Sequence, residues 1–202
     1  MTIGARLVML FPGVVTAAAG ACLVWLARAP GVVPPLALLA VVYLLPVAAF
    51  RAHQALWPIE IGRSYLVGRN YVPWWGAHQL QVIYIAVPQL EALLRIVPGA
   101  YSAWLRLWGA RIGKNVVWTP NVDISDRSLL EVGDGVVIGH RAALYAHVIR
   151  PMKRNLFLYV KPICIETGAF VGGYTILGPG VKVTRGVNVP GDTRGYPNQV
   201  LS

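Results

Sequence analysis

The chain has 202 residues, 56% of them hydrophobic and only 13% charged, with a formal net charge of +10 and a mean hydropathy of +0.56. That composition is too apolar for an ordinary soluble protein, and the length has room for one compact domain plus an appendage. The basic excess has no nucleic-acid-binding motif or basic–aromatic array beside it, which argues against nucleic acid as the partner.

The apolar excess lies at the N-terminus. Residues 7–27 and residues 29–50 carry no charge. Each run is about the ~20 residues needed to cross the hydrocarbon core of a bilayer. Arg28 and the proline-rich turn around it separate them, so residues 1–52 read as a transmembrane helical hairpin. Pro12, Pro34, Pro35 and Pro46 are compatible with such helices where neighbouring groups satisfy the freed backbone. A cleaved signal peptide over 7–27, with TAAAGA as its cleavage region, is the alternative. The second apolar run would still anchor the product.

Residues 53–106 are expected as a helical linker. They are rich in Trp and Tyr (Trp57, Tyr65, Tyr71, Trp74, Trp75, Tyr84, Tyr101, Trp104), the residues that concentrate at the headgroup level. Short helices broken at Pro88 and Pro98 are predicted, with Glu91 and Arg95, four apart, on one polar face. They either lie in the interface plane or cover the first turn of the repeat that follows, whose edge is otherwise a pairing hazard.

From residue 107 a period of six takes over. Ile112, Trp118, Ile124 and Leu130 fall six apart; after a slip of two the count resumes at Val132, Ile138 and Leu144, and a second run gives Ile165, Val171, Leu177, Val183 and Val189. Gly follows the anchor at 113, 133, 139, 172 and 178. Helix and strand periods are 3.6 and 2, so neither explains this. A hexapeptide period marks a parallel β-helix in which three hexads make one triangular coil and coils stack to bury a common core. The expected architecture is therefore mainly β, a β-helix of about four to five coils over 107–202, preceded by two transmembrane helices and the linker helices.

The segments RIGKNVVWTPNVDIS, LEVGDGVVIGHRAALYAHVI and IETGAFVGGYTILGPGVKV resemble the hexapeptide-repeat acyltransferases, a family that includes the galactoside, maltose, serine and xenobiotic acetyltransferases. The resemblance implies a left-handed β-helix, a homotrimer, and acetyl-CoA or another acyl-CoA bound between neighbouring β-helices, with no metal required. It also implies an orientation: the donor is cytosolic, so the repeat domain faces the cytosol from a bacterial-type inner membrane. Arg6, Arg51, Arg63 and Arg69 agree with the positive-inside rule, and Arg28 in the outer turn opposes it. Basic residues flanking the spans would also attract anionic lipid headgroups.

Acyl transfer to a hydroxyl or amine needs a base, and neutral imidazole suits that role near pH 7. The chain has four histidines. His53 and His78 precede the repeats and are expected to be structural or interfacial. His147, in LYAHVIRP just before the interruption PMKRNLFLYVKP, stands where relatives carry their catalytic histidine; His140, one hexad earlier, is the runner-up. Coil stacking, counted through the slip, brings residue 147 near residue 127, so Asp126 is expected to orient His147 or to bind the acceptor; a turn-capping role for Asp126 is the alternative. Gly172 and Gly173 match the family segment whose backbone faces the thioester, with Tyr174 following. Lys161, Lys182 and Arg185 lie where relatives hold the phosphates of CoA. The tail GDTRGYPNQVLS departs from the family's Gly-x-Pro-Ala segment, with Gly195, Pro197 and Asn198 there instead. Cys22 and Cys164 read as ordinary core residues.

The function that follows is a membrane-anchored acyltransferase, an O-acetyltransferase of a lipid-linked sugar or cell-envelope glycan, or of an amine. A non-catalytic β-helix scaffold is the alternative. A γ-type carbonic anhydrase falls short because the repeat holds only His140 and His147 where three histidine ligands are needed.

Overall fold

Proline placement shapes the N-terminal helices. In the computed structural model, which describes residues 2–68 and 70–202, Pro12 opens the helix Phe11–Arg28, Pro34 opens Val33–Leu39 and Pro46 opens Leu45–Leu56. A proline in the first turn forfeits no intrahelical hydrogen bond, so these positions cost little. Pro46 sits in a continuous helical stretch, and the turn before it widens into a π-helical segment, Ala40–Leu44, which relieves the clash a proline ring makes with the preceding turn. Ile3–Arg28 and Val33–Leu56 are each long and apolar enough to cross a membrane, with mean hydropathy 2.2 and most of their side chains exposed. The first runs beyond the expected 7–27 at both ends, and the second starts inside and ends beyond the expected 29–50. Arg69, counted among the orienting basic residues, lies outside the described residues.

The chain forms two compact units. The first, residues 1–60 and 67–83, holds these helices and the helix Pro73–Gln79. Within it the His53 ring nitrogen Nε2 lies 2.6 Å from the Tyr71 hydroxyl, and the rings of His53, Trp57 and Tyr71 touch one another. Gly76 makes room for this pair, since a Cβ there would overlap the Tyr71 hydroxyl. His78 stacks on Trp74 at 4.9 Å.

The second unit, residues 61–66 and 84–202, carries the repeat. Three parallel sheets form its sides. The first sheet stacks Arg111–Ile112, Leu130–Val132, Ile163–Ile165, Lys182–Val183 and Val200–Leu201. The second stacks Val117–Trp118, Val137–Ile138, Phe170–Val171 and Asn188–Val189. The third stacks Asp123–Ile124, Ala143–Leu144, Ile176–Leu177 and Arg194–Gly195. The register places anchor on anchor: Ile112 pairs with Val132, Val132 with Ile165, and Ile165 with Val183. Ile124, Leu130, Ile138, Leu144, Val171, Leu177 and Val183 are buried in the common core, whereas Trp118 is only half-buried.

Ten corners turn through one left-handed residue, at Asn115, Asn121, Gly135, Arg141, Gly168, Tyr174, Gly180, Gly186, Asp192 and Asn198, whereas the corner of Asp126 does not. The glycine after an anchor answers a different need. At that step the backbones of adjacent coils close up, and a Cβ on Gly139 would stand 2.5 Å from the Gly173 nitrogen.

Of the two places left open from sequence for the helices before the repeat, residues 84–108 take the second, as a cap on the first coil. Tyr84, Tyr101, Trp104 and Trp108 are buried, with ring centroids 4.8–6.0 Å apart in mostly edge-to-face contacts that hold aromatic clusters together. Trp118 of the first coil donates to Ser102 of the helix Ala100–Leu107 at 2.9 Å, and Arg106 donates to the carbonyls of Ile112 and Gly113. Of Glu91 and Arg95, expected on one polar face, Glu91 is buried and Arg95 nearly so, because they pair with each other and with coil residues. The interruption PMKRNLFLYVKP is not an open loop. His147–Met152 and Asn155–Val160 form an antiparallel hairpin, and Gly62–Tyr65 from the supposed linker adds a third strand to it.

Candidate functional site

His147 stands where the third side of the second coil ends and the hairpin begins, with Val160 opposite it in the hairpin register. One coil below, Asp123–Ile124 pairs with Ala143–Leu144, and the corner after that strand carries Ser125 and Asp126. The two-residue slip is taken up at this corner, where the Leu129 N–H donates to the Asp126 carbonyl at 3.1 Å. The extra residues push the corner outward and bring Asp126 under the histidine. His147 Nδ1 lies 2.7 Å from Asp126 Oδ2, and the Ser125 hydroxyl donates to the same oxygen at 2.6 Å. Asp126 is 1% exposed, and the imidazole is partly open, at 17%.

That geometry fixes the tautomer. A buried carboxylate already receiving one hydroxyl accepts a second donor, so Nδ1 carries the proton and Nε2 carries the lone pair. An imidazole held in this way can take a proton at Nε2 while the carboxylate stabilises the charge that develops.

Next to it, the Tyr145 hydroxyl donates to Asp123 Oδ2 at 2.7 Å. Burial and that hydrogen bond push the Tyr145 phenol up to about 12, so it stays a neutral donor at neutral pH. Neither Ser125 nor Tyr145 was singled out from sequence, although both follow from the stacking register that brought Asp126 and His147 together.

The other residues singled out from sequence sit elsewhere on the coils. His140, Gly172, Gly173 and Tyr174 share the corner between the second and third sheets. The Tyr174 N–H donates to the His140 carbonyl at 2.8 Å, their rings meet edge to face at 5.8 Å, and the Arg141 guanidinium lies 5.8 Å from the centre of the Tyr174 ring. Arg141 and Tyr174 both hold φ near +60°, a rare conformation for bulky residues that is often kept at functional positions. The Gly172 N–H is spent inside the stack, donating to the Val189 carbonyl at 2.9 Å.

Lys161 resumes the coil after the hairpin, at the same corner as His147. Its ammonium and the Tyr159 hydroxyl converge on Asn198 Oδ1, at 2.7 and 2.8 Å. Lys182 and Arg185 belong to a third location, around Glu166. Lys182 Nζ is 2.8 Å from Glu166 Oε1, and the Arg185 N–H donates to Oε2 at 2.9 Å. These two donors hold the Glu166 carboxyl below its usual range, and Glu166 in turn raises Lys182. Cys164 lies beside them, its thiol pushed up by burial and by Glu131 and Glu166, so it is a poor nucleophile.

No protein-family model and no curated protein matches the sequence. Solved structures do match. The chain is similar to hexapeptide-repeat acetyltransferases. One, from Vibrio cholerae O1 biovar eltor and solved with acetyl coenzyme A, is 17% identical over 60% of this chain and 82% of its own, with a TM-score of 0.42. A galactoside acetyltransferase in complex with coenzyme A is 16% identical over 55% and 74%, with a TM-score of 0.35. A maltose O-acetyltransferase from Clostridium difficile 630 is 16% identical over 56% and 77%, with a TM-score of 0.30.

Proposed function

We propose that this protein is a membrane-anchored acyltransferase that moves an acetyl group from acetyl-CoA to a hydroxyl of a lipid-linked sugar or envelope glycan. The observation that carries this reading is the His147–Asp126 contact of 2.7 Å at a corner of a hexapeptide β-helix. A scaffold has no use for a histidine oriented by a nearly inaccessible carboxylate, since burying that carboxylate costs free energy unless its bonds serve a purpose.

His147 Nε2 takes the proton of the acceptor hydroxyl as its oxygen attacks the thioester carbonyl. The tetrahedral intermediate collapses, the C–S bond breaks, and His147 returns the proton to the CoA thiolate. Asp126 holds the imidazole and stabilises its cation through both steps. Asp123 and Tyr145 sit beside this path and suit a neighbouring hydroxyl of the acceptor.

The acyl-CoA is assigned to the exposed corner of Gly173 and Tyr174 and to the cations Lys161, Lys182 and Arg185. Gly172 lines this corner but does not donate to the oxyanion, because its N–H is spent in the ladder. The His147 corner and the Gly173–Tyr174 corner lie on different edges of the β-helix, so a groove between two copies of a left-handed β-helix would bring the His147 corner of one copy to the CoA-binding corner of the next. A closed C3 trimer satisfies this arrangement, because it repeats one heterologous contact until the ring closes.

The two long apolar helices support a membrane anchor, and the β-helix is proposed on the cytosolic side of an inner membrane because acetyl-CoA is available there. An anchor would also raise the effective concentration of a membrane-bound acceptor.

The test is direct. Full-length protein in detergent, given acetyl-CoA and a membrane lipid extract, should release thiol and add an acetyl mass to a lipid-linked species. No thiol release above the water blank, in protein shown to bind CoA, would return the chain to the scaffold reading.

A further inference from the structure

We propose that Glu91 and Arg127 are positioning residues: a buried ion pair through which the cap helix Gln89–Ile96 sets the orientation of Asp126, and so of the His147 imidazole. The inference rests on the assignment of His147 as base and adds a part of the site that lies outside the repeat.

Arg127 follows Asp126 directly, so the two side chains hang from adjoining peptide units. One is fixed to the histidine and the other to the cap. Arg127 Nε donates to Glu91 Oε1 at 2.6 Å, and the two side chains are 1% and 4% exposed. The guanidinium also lies 5.1 Å from the centre of the Tyr84 ring and 6.0 Å from that of Trp104, inside the aromatic cluster of the cap. The second Glu91 oxygen receives Arg95 Nη2 and the Tyr101 hydroxyl, both at 3.2 Å. Arg95 Nη2 donates as well to the carbonyl of Val122, at 2.9 Å. The cap therefore grips the coil at Val122 and at Arg127, on either side of the strand Asp123–Ile124 that delivers Asp126.

Stability alone is a weak reason for this network. Taking charges out of water is costly, and replacing a buried ion pair by apolar side chains of similar size is often neutral or stabilising. What an ion pair adds is direction, because a charged hydrogen bond fixes an angle where apolar packing leaves latitude. Here the direction is imposed on the residue next to the carboxylate that holds the base. Sequence carries only a trace of it: an Arg after the Asp of VDISD, and a Glu on a helix otherwise read as amphipathic.

The experiment uses full-length protein in detergent and the double variant Glu91→Met/Arg127→Met, which substitutes two unbranched apolar side chains for the pair. Two readouts are needed. The first is the low-field proton resonance of His147 Nδ1–H, assigned by its loss in His147→Ala. The second is thiol release from acetyl-CoA with a membrane lipid extract as acceptor. The expected result is a melting temperature no lower than that of the parent and a shifted or lost resonance. kcat should be reduced about tenfold to a hundredfold, the scale on which losing a partner that orients an imidazole acts. The KM for acetyl-CoA should stay within about threefold, since no donor contact is removed. An unchanged resonance together with an unchanged kcat would overturn the proposal and leave the pair as glue for the cap. Should the double variant fail to fold, Glu91→Gln keeps the side-chain shape, removes the charge, and is judged on the same two readouts. The two layers of argument fail separately. Thiol release that survives in His147→Ala removes the base assignment, whereas an inactive His147→Ala beside a normal pair variant removes only the positioning role.

Discussion

Two corners of the same β-helix carry histidines, and they are built in opposite ways. At the corner of Asp126 and His147, the carboxylate is almost inaccessible, receives a serine hydroxyl and the imidazole, and adjoins an arginine tied to the cap. At the corner of His140 and Tyr174, the tyrosine ring is exposed, the arginine beside it lies 5.8 Å from the centre of that ring, and two bulky residues sit in left-handed turns. The first arrangement fixes a proton's position. The second leaves a flat aromatic and a cation facing outward, which suits a surface that receives a ligand. A histidine's presence in the repeat therefore says less than the number of groups that hold it.

The sharpest way to break this contrast is to remove each histidine in turn. His147→Ala should lower turnover by about 10²–10⁴-fold, the usual contribution of a positioned base, with CoA binding and folding intact because residue 147 is not one of the buried anchors. His140→Ala should change turnover by less than about threefold, since among the described residues no carboxylate holds that ring. Turnover measured beside CoA binding decides: loss in the His140 variant with near-normal turnover in the other would exchange the two roles.

Asp126→Asn comes next. The amide keeps the shape but cannot stabilise an imidazolium, and it can present its N–H₂ to the ring and turn the tautomer over. Turnover should fall by an amount between the two histidine variants, about 10- to 100-fold. The KM for acetyl-CoA should not move. A large rise in that KM, with turnover intact, would place Asp126 in donor binding instead.

At the other corner the expected effect lies on binding. Tyr174→Ala removes an exposed ring with Arg141 stacked on it, and such contacts contribute about 0.5–1.5 kcal/mol. The KM for acetyl-CoA should rise about three- to tenfold with kcat nearly unchanged. A kcat that falls while KM holds would erase the division between the corners.

Much of this contrast was legible in the chain before the fold, and the reason is the stacking rule. A strict period of six predicts which residues lie one above another, so the meeting of residues 126 and 147 followed from counting through the slip at Leu130. The register of Asp123 on Ala143 shows that the count was right. The cap was legible only as one of two alternatives. Tyr84, Tyr101 and Trp104 have the composition of a headgroup layer, and only their contacts with the first coil and with each other reveal a core. Glu91 was read only as part of a polar face, because the spacing Glu91–Arg95 is common to helix surfaces and its third partner, Arg127, is distant in sequence. The hairpin escaped for a similar reason. His147–Met152 and Asn155–Val160 alternate poorly, and their third strand, Gly62–Tyr65, comes from a segment with no strand signal of its own.

The smallest expected effect concerns the clip between adjacent coils formed by Glu166 and Lys182, which tests whether charges far from the first corner matter at all. Lys182 holds the folded-state carboxyl of Glu166 below its ordinary value, so its contribution is present above the unfolded value and is lost as pH falls through the lower, folded one. Glu166 raises the folded-state Lys182 above its ordinary value, so that contribution is complete below the unfolded value and is lost as pH rises through the higher, folded one. The pair therefore acts on a plateau from weakly acid to weakly alkaline pH. Both groups face solvent, and exposed pairs contribute little. Glu166→Gln should lower the melting temperature slightly and evenly across that plateau, and the difference from the parent should vanish in strong acid and at high salt, where screening removes it. Turnover per folded molecule should stay the same. A turnover that follows the same pH curve as the melting difference would mean that Lys182 serves the reaction, and the separation of corners would then have to include a third.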